Sequence, residues 1–182
     1  MSGRGLFQSL RLMERLMPTF GTVSQRAQKA VLVEAGADRF NSPMDIGGWR
    51  FECKLSGQDT GGDYCIYDTV RSVRGGPPLH MHRDQDEWFY VRHGTFTFQV
   101  GTERFHVKAG DTVFGPRGVP HTFAALTDTS ALLIAFQPAG AIEQLFAAAW
   151  TLSKSRKLGL EEWKSIAAPR DIEIVGSPLQ IA

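Results

Sequence analysis

Between Trp49 and Gln137 the chain is a series of short β-prone runs that glycine, proline or aspartate interrupts every 8–12 residues. This spacing is typical of a β-sandwich or barrel. The candidate strands are Trp49–Leu55, Asp63–Arg71, Leu79–His82, Asp86–Arg92, Thr95–Val100, Arg104–Val107, Thr112–Phe114, His121–Leu126 and Ala131–Gln137. We expect tight hairpin turns at His93-Gly94 and at Val100-Gly101-Thr102. The sequence therefore predicts an all-β barrel domain over residues 41–138.

The two flanking segments follow a different pattern. Within residues 1–40, apolar residues recur at helical spacing among arginines until Pro18, which predicts a helical or extended arm that packs on its own domain or on a second subunit. The arm lacks the continuous apolar stretch of a secretory signal, although its basic, amphipathic character is also that of an organellar presequence. After Pro138 the apolar period becomes helical, and a second helix is predicted over Leu160–Ala168. We expect residues 139–182 to form a helical segment that covers an open side of the barrel.

Composition limits the partners. Hydrophobic residues make up 42% of the chain, charged residues 21%, and the formal net charge is +1. We therefore expect a globular cytoplasmic protein with a small-molecule partner, and neither a nucleic acid nor a membrane, because the chain lacks a strong field and an apolar run of 18 residues. Cys53 and Cys65 are expected to be reduced, partly buried thiols.

The candidate metal-binding residues are His80 and His82, which flank Met81, together with Glu87 and His121. Imidazoles at i and i+2 of a strand point to the same face. Glu87 follows His82 by an odd spacing, so it reaches that face only if the strand breaks at Arg83-Asp84-Gln85. Three imidazole nitrogens and one carboxylate can hold a divalent transition metal.

Two motifs around these residues resemble those of the cupin family. The first is G-x5-H-x-H-x3,4-E-x6-G, with His80, His82, Glu87 and Gly94. The second is G-x5-P-x-G-x2-H-x3-N, with Gly110, Pro116, Gly118 and His121. The chain departs from the pattern at Arg74, where the leading glycine is expected, and at Ala125, where the asparagine is expected; neither position is a metal ligand. Asp59-Thr60-Gly61-Gly62 and Ile172–Leu179 also look like small single-barrel cupins of the quercetin-dioxygenase-like group.

The resemblance implies a cupin double-stranded β-helix, or jelly-roll barrel, with the N-terminal arm and the C-terminal helices added to it. It implies a metal site of His80, His82, Glu87 and His121 that binds one ion of Fe, Mn, Ni, Co, Cu or Zn, between which ligand type cannot choose. Glu87 could also leave the ion and act as a general base, as the family implies for some members. The resemblance further implies a homodimer.

Strand alternation predicts the surroundings of this site. Phe89 and Val91 share the inward face of Glu87, and Phe123 shares that of His121, so they are candidates for an apolar substrate pocket or for plain core packing. Trp88 and Tyr90 face the other way. His93 and His106 are expected at the surface, as are Asp84 and Asp86, which flank Glu87 without belonging to the site.

Two functions fit these residues. The first is a metal-dependent dioxygenase-type oxidoreductase that acts on a small, partly apolar organic substrate. The alternative is a non-redox cupin, either a metal-dependent binding protein or a sugar or keto-acid isomerase. Basic residues at the barrel mouth would favour that alternative, and Arg74 and Arg117 are the nearest candidates, although both are expected to be exposed loop charges. A fused DNA-binding domain is not expected, because no basic recognition helix precedes residue 40.

Overall fold

A computed structural model describes residues 26–181 of the chain. This part folds into two antiparallel sheets, with helices after the last strand of the first sheet. The strands are β1 Met44–Asp45, β2 Trp49–Leu55, β3 Cys65–Arg71, β4 Pro78–His82, β5 Asp86–His93, β6 Thr95–Val100, β7 Glu103–Lys108, β8 Thr112–Gly115, β9 His121–Ala125, β10 Ser130–Gln137 and β11 Ile172–Pro178. The helices are α1 Gly57–Thr60, α2 Ile142–Ser153 and α3 Leu160–Ala167, followed by a 3-10 turn at Ala168–Arg170.

The first sheet has the strand order β1-β2-β3-β10-β5-β8, and the second has the order β11-β4-β9-β6-β7. Their apolar faces meet in a core rich in phenylalanine, because alternate side chains of each strand point inward. Phe89 of the first sheet packs against Phe98 and Phe123 of the second, with ring centroids 4.9 and 5.5 Å away. The predicted all-β jelly-roll fold is confirmed.

The predicted strands agree with the observed ones to within two residues at each end. One predicted turn is wrong. The residues His93-Gly94 do not close a hairpin, because β5 belongs to the first sheet and β6 to the second. Gly94 instead carries the chain between the sheets with a φ of 80°, which glycine adopts without the strain other residues incur. The hairpin at Val100-Gly101-Thr102 is confirmed, since Val100 of β6 pairs with Glu103 of β7.

The C-terminal segment is helical only in part. Helix α2 and helix α3 follow the prediction closely, but Ile172–Pro178 forms β11, which pairs antiparallel with β4 at the edge of the second sheet. The expectation of a purely helical segment over residues 139–182 is therefore corrected. The alternating side chains of Ile172 and Ile174 point toward the barrel interior, as a strand with one buried face requires.

Most of the predicted N-terminal arm, residues 1–25, lies outside the described residues. Residues 26–40 contain no helix or strand and include turns at Ala35-Gly36 and Arg39-Phe40. The backbone amide of Ala27 donates to the carbonyl of Asp59 at 3.0 Å, and that of Arg39 donates to the carbonyl of Cys53 at 2.8 Å. This stretch therefore packs on the chain's own barrel. Within residues 26–181, no helix has the length and apolarity needed to cross a membrane.

Both cysteines are free and buried. Cys53 lies opposite Tyr67 on the neighbouring strand, not opposite Cys65. Burial raises the pKa of the Cys53 thiol to about 12 and raises that of Cys65 further. Both groups are therefore protonated at neutral pH, as expected for unreactive core thiols.

Candidate metal centre

The three histidines come from two adjacent strands of the second sheet. His80 on β4 lies directly opposite His121, the first residue of β9. His82 lies two residues further along β4, so its side chain shares the face of His80. The ring planes of His82 and His121 are nearly parallel, at 5°, with centroids 5.5 Å apart. The predicted clustering of three imidazoles is present.

Glu87 reaches the same point from the other sheet. Strand β4 ends at His82 and β5 begins at Asp86, so the chain breaks where the odd spacing requires it. Within this break, the buried Gln85 donates from Nε2 to the carbonyls of Pro138 and Ala139, at 2.7 and 2.8 Å. These hydrogen bonds tie the turn to the end of β10 and position the start of β5.

The four donor atoms converge. Oε2 of Glu87 lies 2.9 Å from Nε2 of His121, 3.3 Å from Nε2 of His82 and 3.8 Å from Nε2 of His80. One donor atom from each residue can be chosen so that all four lie within 4.8 Å of one another. Ligands bound at roughly 2.0–2.2 Å from one ion and at right angles to each other are about 3 Å apart. The residues therefore fit a single divalent transition metal.

Hydrogen bonds on the far side of two rings orient them for this role. Nδ1 of His80 lies 2.8 Å from the carbonyl oxygen of Pro78, and Nδ1 of His121 lies 2.9 Å from that of Val119. A carbonyl oxygen only accepts, so each Nδ1 carries a proton and Nε2 is the atom that faces the centre. Without an ion, an Nε2 that also carries a proton donates to Glu87; in the neutral ring, the lone pair of Nε2 is free to bind an ion. This tautomer is the one that a metal-binding imidazole needs.

The site is buried, and its charges depend on one another. Burial opposes ionisation of Glu87, but hydrogen bonds from His121, His80 and His82 outweigh it and hold the pKa of Glu87 well below its usual value. Burial lowers the pKa of His80. Burial also acts to lower the pKa of His121, but the bond to Glu87 outweighs it and the net pKa is raised. The carboxylate is therefore ionised at neutral pH and available as an anionic ligand.

Small residues allow the surrounding segments to approach the ligands. A Cβ atom on Gly76 would lie 1.5 Å from the carbonyl oxygen of Phe123, so only glycine lets the Gly75-Gly76-Pro77-Pro78 segment run against β9. A Cβ atom on Gly115 would lie 3.3 Å from Nδ1 of His121. Glycine at these positions therefore sets where His121 and the start of β4 lie.

The segment that contains the candidate metal centre is similar to a known protein family. Residues 72–136, which include all four candidate ligands, match the family model for the cupin domain. This part of the chain is therefore a cupin domain. No sequence among the curated proteins matches it.

Several solved structures are similar to this cupin. KdgF from Halomonas sp. is 20% identical, and the match covers 53% of this chain and 86% of that one, with a TM-score of 0.45. An RmlC-like cupin from Shewanella frigidimarina is 22% identical over 54% of this chain and 84% of its own, with a TM-score of 0.45. A predicted oxalate decarboxylase from Thermotoga maritima is 18% identical over 50% of this chain and 80% of its own, with a TM-score of 0.47.

The centre of this cupin opens into a cavity of about 810 Å³. The ligands His80, His82 and Glu87 lie on its wall, and so does Phe123, one of the three predicted pocket residues. The other two, Phe89 and Val91, are buried inward as predicted but are not on the cavity wall. Phe89 instead packs behind His121, with ring centroids 6.3 Å apart. Strand alternation predicts which face a residue occupies, but not how far along the barrel the cavity extends.

Most of the cavity wall is apolar. Leu145 and Phe146 of α2 contribute to it, so the helical segment closes one side of the barrel, as the sequence analysis predicts. The other apolar side chains on the wall include Phe51, Ile134, Phe136, Ile142, Leu158, Trp163, Ile172 and Ile174. The space beside the ligands therefore suits the body of a carbon-rich molecule.

The sequence analysis does not predict the buried charged residue on the cavity wall. Arg71, the last residue of β3, is 1% exposed and lines the cavity. Its Nε and both terminal nitrogens have no hydrogen-bond partner among the described residues. The alternation of the buried residues Cys65, Tyr67 and Thr69 along β3 would have placed Arg71 inward, so the signal was present in the sequence.

The other histidines and the aspartates that flank Glu87 do not belong to the candidate metal centre, as expected. His93 and His106 are exposed, as is Asp84. Asp86 forms an ion pair with Arg117, 2.6 Å between Oδ2 and a terminal guanidinium nitrogen, and so faces away from the ligands.

The sequence analysis named Arg74 and Arg117 as the nearest candidates for basic residues at the barrel mouth. Of the two, Arg74 borders the cavity and Arg117 does not. The side chain of Arg74 is exposed and pairs with Asp128, with Nε and Oδ1 2.9 Å apart. Exposed Arg156 and Lys157 border the same cavity.

Proposed function

We propose that this cupin binds one divalent transition metal through His80, His82, Glu87 and His121, and that it is a dioxygenase-type oxidoreductase. Its substrate would be a small, partly apolar organic molecule held in the cavity. The observation that carries the proposal is the convergence of three Nε2 atoms and one carboxylate oxygen at the wall of a largely apolar cavity. The quercetin-dioxygenase-like features of the sequence favour an oxygen-dependent reaction over other cupin chemistries.

The residues around the proposed metal site have separate roles in this function. A bound divalent ion would supply Lewis-acid or redox chemistry and coordination positions that the four side chains leave open. The carbonyls of Pro78 and Val119 hold the rings of His80 and His121 in the neutral, ligating tautomer. Glu87, ionised and in contact with the cavity, is the group that can accept a proton from a substrate hydroxyl. The apolar wall keeps bulk water from the reacting atoms.

A specific observation favours the non-redox alternative as well. Four basic residues, Arg71, Arg74, Arg156 and Lys157, border the cavity. Such residues suit a ligand with acidic or sugar-like oxygens, which a metal-dependent binding protein or an isomerase would hold without oxidising it. This is the second candidate function.

The test combines metal analysis with oxygen consumption. Protein purified without chelator is analysed for bound metals, and an oxygen electrode records uptake with quercetin and with a panel of aromatic and keto acids. A redox-active ion at one equivalent, with uptake that depends on substrate, is the expected result. Zinc with no uptake but with substrate turnover or binding under nitrogen would favour the non-redox alternative. Protein that takes up none of the six candidate metals would contradict both.

We also propose that this cupin is a cytoplasmic homodimer. Trp88 and Phe114 pair directly across β5 and β8 on the outer face of the first sheet, and they are 38% and 55% exposed. Strand β8 is the edge of that sheet. Light scattering coupled to size exclusion should give a mass near twice 20.1 kDa, and Phe114→Lys should reduce it to that of one chain. A wild-type protein that elutes as a monomer at all concentrations contradicts this proposal.

A further inference from the structure

Arg71 is a buried cation with no anionic partner among the described residues. Its side chain is 1% exposed and lies at the end of β3, opposite Trp49 on one neighbouring strand and Ser130 on the other. No carboxylate in the described part of the chain forms an ion pair with it, and none of its three nitrogens meets an acceptor there. A charge of this kind is costly to bury without a counter-charge.

Aromatic rings hold the guanidinium group in place. It lies over the ring of Trp49, and its central carbon is 5.6 Å from the ring centroid of Phe123. Contacts with the faces of rings stabilise a cation but do not use its N–H groups. The N–H groups of Arg71 are therefore left without an acceptor in the described part of the chain, on the wall of the cavity that the residue lines.

Among the other charged residues at the cavity, basic side chains outnumber acidic ones. Arg156 and Lys157 are exposed at its edge, and the acidic side chains on its wall are Glu87, which is engaged by the histidines, and the exposed Asp45. Basic residues at the edge and a buried guanidinium inside attract an anion into the cavity. An arginine, with its planar fork of N–H groups, matches a planar carboxylate through two parallel hydrogen bonds.

We propose that Arg71 binds the carboxylate of the ligand of this cupin, so that its natural substrate is an organic acid with an apolar body. The body lies along Phe51, Phe123 and Phe136, and the cavity brings its other polar end within reach of His80, His82 and Glu87. This inference rests on the proposed function only for the role of that second end. The anion site itself does not require a metal.

The test uses full-length protein stripped of metal, so that a carboxylate cannot be captured by an ion. Binding of benzoate, phenylacetate, hexanoate and 4-hydroxybenzoate is compared with that of the matching primary amides, by calorimetry and by ligand-observed NMR at constant ionic strength. The variant is Arg71→Met, which keeps an unbranched side chain and removes its charge and its N–H groups. The control is Arg92→Met, because Arg92 is also a barrel arginine but pairs with Asp68 and does not line the cavity.

We expect wild type to bind the best-fitting acid about tenfold or more tightly than its amide, as a charge-assisted bidentate contact implies. Arg71→Met should abolish this preference and leave the affinity for the amide unchanged, which also shows that the cavity is intact. Arg92→Met should keep the preference. If every acid binds wild type no better than its amide, or if Arg71→Met keeps the preference, the proposal is wrong.

The experiments distinguish failure of the proposed metal-dependent function from failure of the proposed anion site at Arg71. A protein that takes up no metal but prefers acids through Arg71 would contradict the metal-dependent function and support this inference. A protein that loads metal but shows no preference for acids would do the reverse. Should Arg71→Met fail to fold, Arg71→Gln and the wild-type comparison of acids with amides decide the question.

Discussion

Oε2 of Glu87 and Nε2 of His121 lie 2.9 Å apart, although the two residues are 34 positions apart in the chain and belong to different sheets. Gly115 adjoins both, because it pairs with Glu87 across β5 and β8 and leaves room for the ring of His121. The centre therefore depends on how the two sheets are held together, and local changes at either sheet should alter metal binding.

Loss of one imidazole should remove most of the metal without unfolding the protein. We expect His82→Ala to weaken binding by at least about a hundredfold, because one of four ligands is lost. The fold should persist, since Nδ1 of His82 has no hydrogen-bond partner in the described part of the chain and the ring lines a cavity. Metal content by elemental analysis and circular dichroism check both statements. His106→Ala, at an exposed imidazole on β7, is the control and should keep full occupancy.

A methyl group behind His121 should weaken metal binding less than the loss of a ligand does. Gly115→Ala would place Cβ 3.3 Å from Nδ1 of His121, so the ring must move by a few tenths of an ångström. We expect metal affinity to fall roughly 10–100-fold, the range seen when support of a ligand is disturbed, while the protein stays folded. Gly176→Ala on β11 is the control, because its new methyl group meets the flexible side chain of Leu79 at 3.2 Å. Equal affinities in the two variants would contradict a positioning role for Gly115.

Most strands could be predicted from the sequence because they are short runs of β-prone residues bounded by turn residues. What could not be predicted locally was which strands pair. A turn at His93-Gly94 is compatible with a hairpin or with a crossing between sheets, and only the packing of the whole barrel selects the crossing. Strand β11 was missed for a similar reason, since it follows two helices and its partner β4 lies far away in the chain.

The four candidate ligands could be predicted because motif spacing and the break after His82 restrict them strongly. Arg71 was missed because a single arginine at the end of a strand is usually exposed. Its burial depends on Trp49 and on the cavity, which are tertiary features. For Phe89 and Val91 the alternation identifies the inward face, but the packing of the neighbouring strands decides that neither reaches the cavity wall.

The unpaired charge of Arg71 should reduce the stability of the ligand-free protein. Burial lowers the pKa of Arg71 to about 8. A base with a lowered folded pKa destabilises the folded state once the pH falls below its unfolded pKa, and this effect is complete below the folded pKa. We expect Arg71→Met to raise the free energy of unfolding at pH 7 by about 1–4 kcal/mol, the range for apolar replacement of buried charges. Urea unfolding of metal-free protein measures this change. A loss of stability would show that stacking on Trp49 outweighs the cost of the charge.

Gln85 should be important for stability rather than for chemistry. Gln85→Leu keeps the volume but leaves the carbonyls of Pro138 and Ala139 without their donor. We expect a loss of about 1–3 kcal/mol in the free energy of unfolding, because the buried carbonyl of Ala139 would be unsatisfied. Asp84→Ala, at the exposed neighbouring position, should change stability by less than about 0.5 kcal/mol. Similar urea midpoints for the two variants would contradict the role assigned to Gln85.

The ion pair of Arg39 and Asp59 should contribute stability that depends on pH. Two hydrogen bonds of 3.1 and 3.0 Å join the groups, and Asp59 also accepts from the amide of Ser56 at 3.1 Å. The bond from Arg39 is the largest cause of a lowered pKa of Asp59. A carboxyl with a lowered folded pKa stabilises the fold above its unfolded pKa, and this contribution is lost as the pH falls through the folded value. Asp59→Asn should therefore be less stable than wild type at pH 7, and the two should converge under acid. Thermal unfolding measured from pH 7 to pH 3 tests this; a difference that stays constant with pH would mean that shape, and not charge, explains the contribution of Asp59.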